Sequence, residues 1–346
     1  MENRNIIGID LAKNVFQLHI SDSGGEKLKG MRLRRDQVVE TFARLPPSLV
    51  GMEACGGAHH WARTLEALGH EIKLMPPQYV KPYVTGGNKS DSRDAAAICE
   101  AASRPSVPSI RVKSVDQQQM QALHRTRELF MKQRIQISNQ IRGLLAEFGV
   151  VIAKDYSKLR QAVPIWLSEE GNPGILSGLV ETLYSKMLKF DDDISELEKK
   201  IKFLHDQCEA SKCLATIPGV GLITATAIVA GIGDGSQFSS GRKFSCAMGL
   251  TPREYSSGDK RTQMGITKRG NSYLRKLLIH GARSVLASRR RNPKGDWIDS
   301  LLERRGFNIA AVALASKNAR RAWAMLRSGE KFDAKRDEMQ RMKRAA

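Results

Sequence analysis

The 346-residue chain has no run of 18 or more apolar residues, which excludes a helix that spans a bilayer. Its 5 cysteines, Cys55, Cys99, Cys208, Cys213 and Cys246, include no Cys-x-x-Cys pair, which argues against a zinc site. An odd cysteine count, with no signal peptide read in MENRNIIGID, points to reduced thiols in a cytoplasm. No Walker-type Gly-Lys-Ser/Thr stretch occurs. Negative charge is scarce: Lys+Arg 56 against Asp+Glu 36 leaves a net charge of +20. That excess suits a polyanion, and with no membrane span the expected partner is nucleic acid. What is present is an apolar fraction of 41%, enough for real cores, on a chain long enough for two or three domains.

Residues 5–110 read as α/β. IIGID (6–10), VFQLHIS (15–21) and a third run near 27–33, after the Gly24-Gly25 turn, read as strands. DQVVETFARL (36–45) reads as a helix stopped by Pro46-Pro47, SLVGME (48–53) as a buried strand, HHWARTLEALGH (59–70) as a helix, and EIKLM (71–75) as a strand. The order β-β-β-α-β-α-β fits a mixed sheet covered by helices.

Residues 114–209 change character. Leu176, Leu179, Leu183, Met187, Phe190, Ile194, Leu197, Ile201, Leu204 and Cys208 follow one another at steps of three or four, close to a heptad repeat. An earlier helix, roughly 115–148, carries Leu123, Phe130, Ile137, Ile141, Leu144 and Phe148 at compatible spacing, interrupted by Arg127 and Arg134. Pro164, Gly171, Pro173 and Gly174 mark a reversal between them. Two readings stay open: a coiled-coil arm, or a plain helical hairpin.

Residues 210–346 read as helical and basic. In LATIPGVGLITATAIVAGIGD (214–234) a helix runs into Pro218-Gly219-Val220-Gly221 and an Ala-rich helix leaves it, which resembles a helix-hairpin-helix. Gly219 and Gly221 would let the backbone approach a phosphate. Arg289, Arg290 and Arg291 form a basic run, read either as a solvated face or as nucleic-acid contacts.

Four acids stand out. Asp10 and Glu53 each end a strand, where an acid costs solvation unless it is paired or binds a cation. Asp91 and Asp94 sit three apart at a helix start, on one face. Helix capping alone would explain that pair. Taken together the four suit Mg²⁺ or Mn²⁺, and two such ions can clamp the oxygens of a phosphodiester exchange. GIDLA is also similar to a phosphate loop of actin-like ATPases. None of Leu11, Ala12, Lys13 and Asn14 is the glycine or small hydroxyl residue such a loop needs, so an RNase-H-like nuclease sheet is preferred. His59 and His60 closely follow Glu53 and read either as assisting at a metal site or, by preference, as packing or helix-start residues.

GLTPREYSSGDKRTQMGITKRG (249–270) sets Ser256 and Ser257 among Arg253, Lys260, Arg261, Lys268 and Arg269. A Ser-Ser-Gly stretch is by default a turn. Taken in order, GID, GMEACGGAHHWA, KSDSRDA, IPGVG and GLTPREYSSGDK resemble the DEDD transposases of bacterial insertion sequences, the family numbered 110 and within it the subgroup numbered 1111. The resemblance implies a RuvC-like domain of RNase H fold over 1–112, a coiled-coil segment over 113–209, and a helical C-terminal transposase domain over 210–346. It implies that Asp10, Glu53, Asp91 and Asp94 bind Mg²⁺ and that Ser257, rather than its neighbour Ser256, is the nucleophile.

The implied activity is recombination of donor and target DNA, directed by a non-coding guide RNA, through a covalent phosphoserine. A homo-oligomer, dimer or tetramer, in the bacterial cytoplasm at the nucleoid would carry it out. Two rival readings are a metal-dependent junction-resolving endonuclease with a structural serine, and a non-catalytic nucleic-acid-binding module.

Overall fold

The computed structural model describes residues 4–84, 90–258, 260–292 and 296–334. It divides into two compact units, residues 1–114 and 115–346.

The first unit is a mixed α/β layer. Strands β1 (Ile6–Asp10), β2 (Val15–Ser21) and β3 (Lys27–Arg34) form an antiparallel meander. Helix α1 (Val38–Arg44) leads to β4 (Leu49–Glu53), and α2 (Ala58–Ala67) leads to β5 (Glu71–Met75). The sheet order is β3-β2-β1-β4-β5, with β4 parallel to both β1 and β5. A short α3 (Pro77–Val80) and the longer α4 (Asp91–Ser103) complete the unit. β1 and β4 are apolar along nearly their whole length because helices cover the sheet. Phe16, Phe42, Trp61 and Leu65 fill the core on one side, and Ile98, Ala101, Ala102 and Met75 fill it on the other.

The second unit begins with α5 (Val115–Ala146) and α7 (Gly174–Gln207), which run antiparallel. Met187, Ile194 and Ile201 of α7 are buried at intervals of seven, as the repeat predicts. Leu179 departs from the pattern and is largely exposed. Arg127 and Arg134 do not break the pairing. Arg127 Nε donates to Glu198 Oε1 at 2.8 Å and Arg134 Nη1 to Asp191 Oδ1 at 2.6 Å, also seven residues apart on each helix. The expected reversal between α5 and α7 holds a helix of its own, α6 (Tyr156–Ser168), with Pro164 inside it. Asp155 caps α6, accepting hydrogen bonds from the backbone of Ser157 and Lys158.

The chain continues through α8 (Glu209–Leu214), α9 (Leu222–Ile232) and α10 (Gly241–Ala247). Strands β6 (Pro252–Ser257) and β7 (Lys260–Ile266) form an antiparallel ribbon. Helices α11 (Ser272–Arg291), α12 (Trp297–Arg305) and α13 (Phe307–Ser328) close the unit around a core that includes Phe244, Leu278 and Leu314. The region beyond residue 210 is helical as expected, and this ribbon is an addition to it. All six residues of β6 are exposed, so burial leaves no alternation to read there. Among the described residues, no helix is long and apolar enough to cross a membrane.

Candidate active site

Two glycines bring the acids together. Gly8 of β1 and Gly51 of β4 are partners in the parallel register. Helix α4 lies directly on both. A Cβ on Gly8 would fall 2.2 Å from the Ala95 carbonyl oxygen, and one on Gly51 would fall 2.5 Å from the Ala102 Cβ. Side chains two residues apart on a strand share a face. Asp10 and Glu53 therefore project from the same face as the glycines, one step further toward the strand ends. Asp91 and Asp94 sit in the turn of α4 just before Ala95 and reach the same place.

The oxygens of Asp10, Asp91 and Asp94 lie within 4.8 Å of one another. Glu53 borders this group. Its carboxyl is held above the usual range by burial first and by the charge of Asp94 second. Asp10, Glu53 and Asp94 are half-buried, and Asp91 is exposed. The N-cap of α4 is Ser90, so neither aspartate is the capping residue. Like charges at such a distance repel by roughly 1 kcal/mol per pair in water and about 4 kcal/mol where water is partly excluded. The donor set fits a hard divalent cation. Octahedral Mg²⁺ with ligands at roughly 2.1 Å spaces its oxygens about 3.0–4.2 Å apart, within reach of this cluster by side-chain rotation.

His59 Nδ1 accepts from the Lys113 backbone N–H at 3.2 Å.

The ribbon holds both serines. Ser256 and Ser257 are exposed at the end of β6, before the turn at Gly258, whose φ is +59°. They point to opposite faces. Ser256 Oγ donates to Glu254 Oε1 at 2.8 Å, two residues back on its own face. Sequence reasoning passed over Glu254, although its spacing to Ser256 is the period of a strand. The ribbon's base is anchored where the Thr267 N–H donates to the Thr251 carbonyl at 2.9 Å and Arg275 Nη1 donates to the carbonyl oxygens of Met248 and Arg269. Lys268 stands in this anchor with a φ of +56°, a conformation uncommon for a side-chain-bearing residue.

The remaining cations separate into groups. Arg253, Lys268 and Arg269 are exposed beside the ribbon, and Arg290 and Arg291 are exposed at the end of α11. The side chains of Lys260 and Arg261 lie outside the described residues; their backbones pair with Ser257 and Ser256. Arg289 turns inward. Its Nη2 donates to Asp296 Oδ2 at 2.8 Å, and Asp296 also caps α12, so the guanidinium is engaged within the fold. Gly219 likewise meets protein: at φ +87°, its Cβ position would lie 2.7 Å from the carbonyl oxygen of Gly281 on α11. The space around Gly221 is open.

A carboxylate cluster lies over a mixed sheet in a chain of net charge +20, and comparison with known proteins makes the class a transposase. Two family models match. One, a transposase model of the IS110 DEDD kind, covers residues 7–149, and the other, "Transposase IS116/IS110/IS902 family", covers residues 211–296. The chain is 42% identical over 336 residues to the transposase for insertion sequence element IS1111A of Coxiella burnetii, covering 96% of this chain and 92% of that protein. It is 39% identical to the transposase for insertion sequence element IS1328 of Yersinia enterocolitica, covering 96% and 99%. A pilin gene-inverting protein of Moraxella bovis is more distant, at 24% identity over 79% of this chain and 77% of that one. The chain belongs to the IS110 family of insertion-sequence transposases.

Proposed function

We propose that this transposase cuts and rejoins DNA through a covalent phosphoserine at Ser257, with Asp10, Glu53, Asp91 and Asp94 holding Mg²⁺. The observation that carries the reading is the convergence of Asp10, Asp91 and Asp94 within 4.8 Å. In this reading the first unit is an RNase-H-like, RuvC-like domain, in keeping with the sheet order β3-β2-β1-β4-β5 and its one antiparallel strand, β2. The α5–α7 pair serves as the coiled-coil arm, and the turn at Gly219 and Gly221 belongs to a helix-hairpin-helix.

The bound cation supplies Lewis acidity that polarises the scissile phosphate and offsets charge on the departing oxygen. The four carboxylates fix its place. Ser257 Oγ forms a bond to phosphorus as one phosphorus–sugar-oxygen bond breaks, the serine proton is released, and the leaving oxygen ends as a hydroxyl. One ester replaces another, so the strand can be resealed without ATP. Among the described residues the Glu254 carboxylate engages Ser256 and not Ser257, which supports the selection of Ser257 as nucleophile. Arg253, Lys268 and Arg269 neutralise neighbouring phosphates. The Moraxella relative is named for inverting a gene, an outcome in which every cut strand is rejoined; that supports transesterification over hydrolysis.

Holding two DNA sites together calls for a homo-oligomer, and the family resemblance points to an element-encoded guide RNA as a further partner. The test is expression of the full chain with its flanking non-coding DNA. Wild type should form a protein–DNA adduct that protease, but not heat, removes, and an RNA should co-purify. Ser257→Ala should form no adduct. If Ser257→Ala still cuts, the protein is a metal-dependent endonuclease and the serine is structural.

A further inference from the structure

We propose that the β6–β7 ribbon enters the DNA duplex and that Tyr255 and Met264 form an apolar wedge at a base step beside the phosphate Ser257 attacks. This rests on the reading of Ser257 as nucleophile. All six residues of β6 are exposed, and an isolated two-stranded hairpin is marginal in water. A partner therefore completes it, and its two faces say which.

Register assigns the faces. Glu254 pairs with Gln263, Tyr255 with Thr262, and Ser256 with Arg261. Between Pro252↔Ile266 and Glu254↔Gln263 the register shifts by one residue, so Met264 and Gly265 oppose Arg253. By register one face thus holds Glu254, Ser256, Arg261 and Gln263, and the other holds Arg253, Tyr255, Ser257, Lys260, Thr262 and Met264. One acid and one base leave the first without net charge, whereas the second holds no acid. The second combines a cation, the candidate nucleophile and two large apolar side chains left in solvent, Tyr255 at 71% and Met264 at 51% exposure.

That combination matches a duplex. A two-stranded ribbon fits the roughly 12 Å major groove. Aromatic side chains stack on bases of any identity, and apolar wedges part base steps and bend the helix. Arg253 meets the backbone, and the net charge of +20 draws the polyanion in. Tyr255 and Ser257 are two residues apart on one face, roughly 7 Å, or about two base steps of 3.4 Å. The wedge therefore acts within two base pairs of the phosphate that is cut. Tyr255 and Met264 are positioning residues: they hold the substrate that Ser257 attacks.

The experiment uses Ser257→Ala full-length protein, prepared with its flanking non-coding transcript, and duplexes of the element's end with 2-aminopurine walked through them. Fluorescence should rise at one step within two base pairs of the cut site. Adding Tyr255→Ala or Met264→Ala should abolish the rise and shorten the complex lifetime about tenfold, whereas Tyr255→Phe should keep both. Matched thermal unfolding of the variants excludes a folding defect. An unchanged signal in Tyr255→Ala, a step further than two base pairs away, or a signal that appears only when the fluorophore is in the RNA would overturn the proposal. Covalent adduct retained by Ser257→Ala would instead strike the nucleophile reading while the fluorescence still reports on the wedge.

Discussion

Gly8 and Gly51 face each other across parallel strands, and α4 rests on both with no room for a methyl group between. This contact sets the height of Asp91 and Asp94 above Asp10. Gly8→Ala should therefore push α4 from the sheet, at a cost of about 1–3 kcal/mol from overpacking. Thermal unfolding measures that loss. Activity should fall further than the lost stability explains, because the acids no longer converge.

Removing a metal ligand should show in the absence of any reaction. Wild type should gain thermal stability on addition of Mg²⁺ or Mn²⁺, by about 2.7 kcal/mol at a hundredfold excess over Kd. Asp94→Asn should respond little and should form no DNA adduct. A Mg²⁺-dependent shift of equal size in Asp94→Asn would place the ion elsewhere.

His124 gives the fold a pH dependence of its own. It is buried, with Nδ1 3.0 Å from the Tyr273 hydroxyl and Nε2 3.0 Å from Thr226 Oγ1. The Thr226 hydroxyl donates to the Leu222 carbonyl, so Nε2 carries the imidazole proton and Nδ1 accepts from Tyr273. Burial, and then Arg127, lower its pKa from 6.5 to about 4. Between those values the unfolded chain binds the proton that the folded protein refuses. Stability is whole above pH 6.5 and falls as pH drops toward 4, by about 3 kcal/mol in all. Denaturant titrations across that range measure it, and His124→Gln should flatten the slope.

Asp191 collects three partners from two helices. Arg134 and the Tyr156 hydroxyl each donate at 2.6 Å, and Arg160 stands 3.7 Å away. Asp191→Ala leaves a largely buried guanidinium and a phenol without their acceptor, and should cost about 2 kcal/mol in urea unfolding. Removing Arg134 as well should recover part of it.

Arg289 and Arg290 are neighbours with opposite expected effects. Arg289→Ala breaks the contact with Asp296 and should lower the melting temperature. Arg290→Ala should leave stability unchanged and reduce the salt dependence of DNA binding by about one ion. Equal salt slopes in wild type and Arg290→Ala would remove α11 from the nucleic-acid surface.

Strands β1 and β4 of the first unit were legible because they are apolar runs bounded by turn residues. The heptad of α7 was legible for the same reason, since burial every seventh residue leaves its mark on composition. The ribbon at 252–266 was not, because a strand buried on neither face has no hydrophobic period to read. Arg127 and Arg134 looked like defects in a seam, since an ion pair across two helices needs residues 71 and 57 positions away. Gly281, which packs on Gly219, carried one unused hint: a glycine inside a helix is costly and needs a reason.

By itself the sequence determined which groups are available: carboxylates at strand ends, a paired serine in a basic segment, and a net charge of +20. Only the tertiary structure decided which of these groups meet. Asp10 and Asp94 are 84 positions apart, and two missing side chains let one helix lie close enough to join them. It also divided Ser256 from Ser257, since in an extended strand neighbouring side chains point opposite ways and one alone shares a face with Glu254.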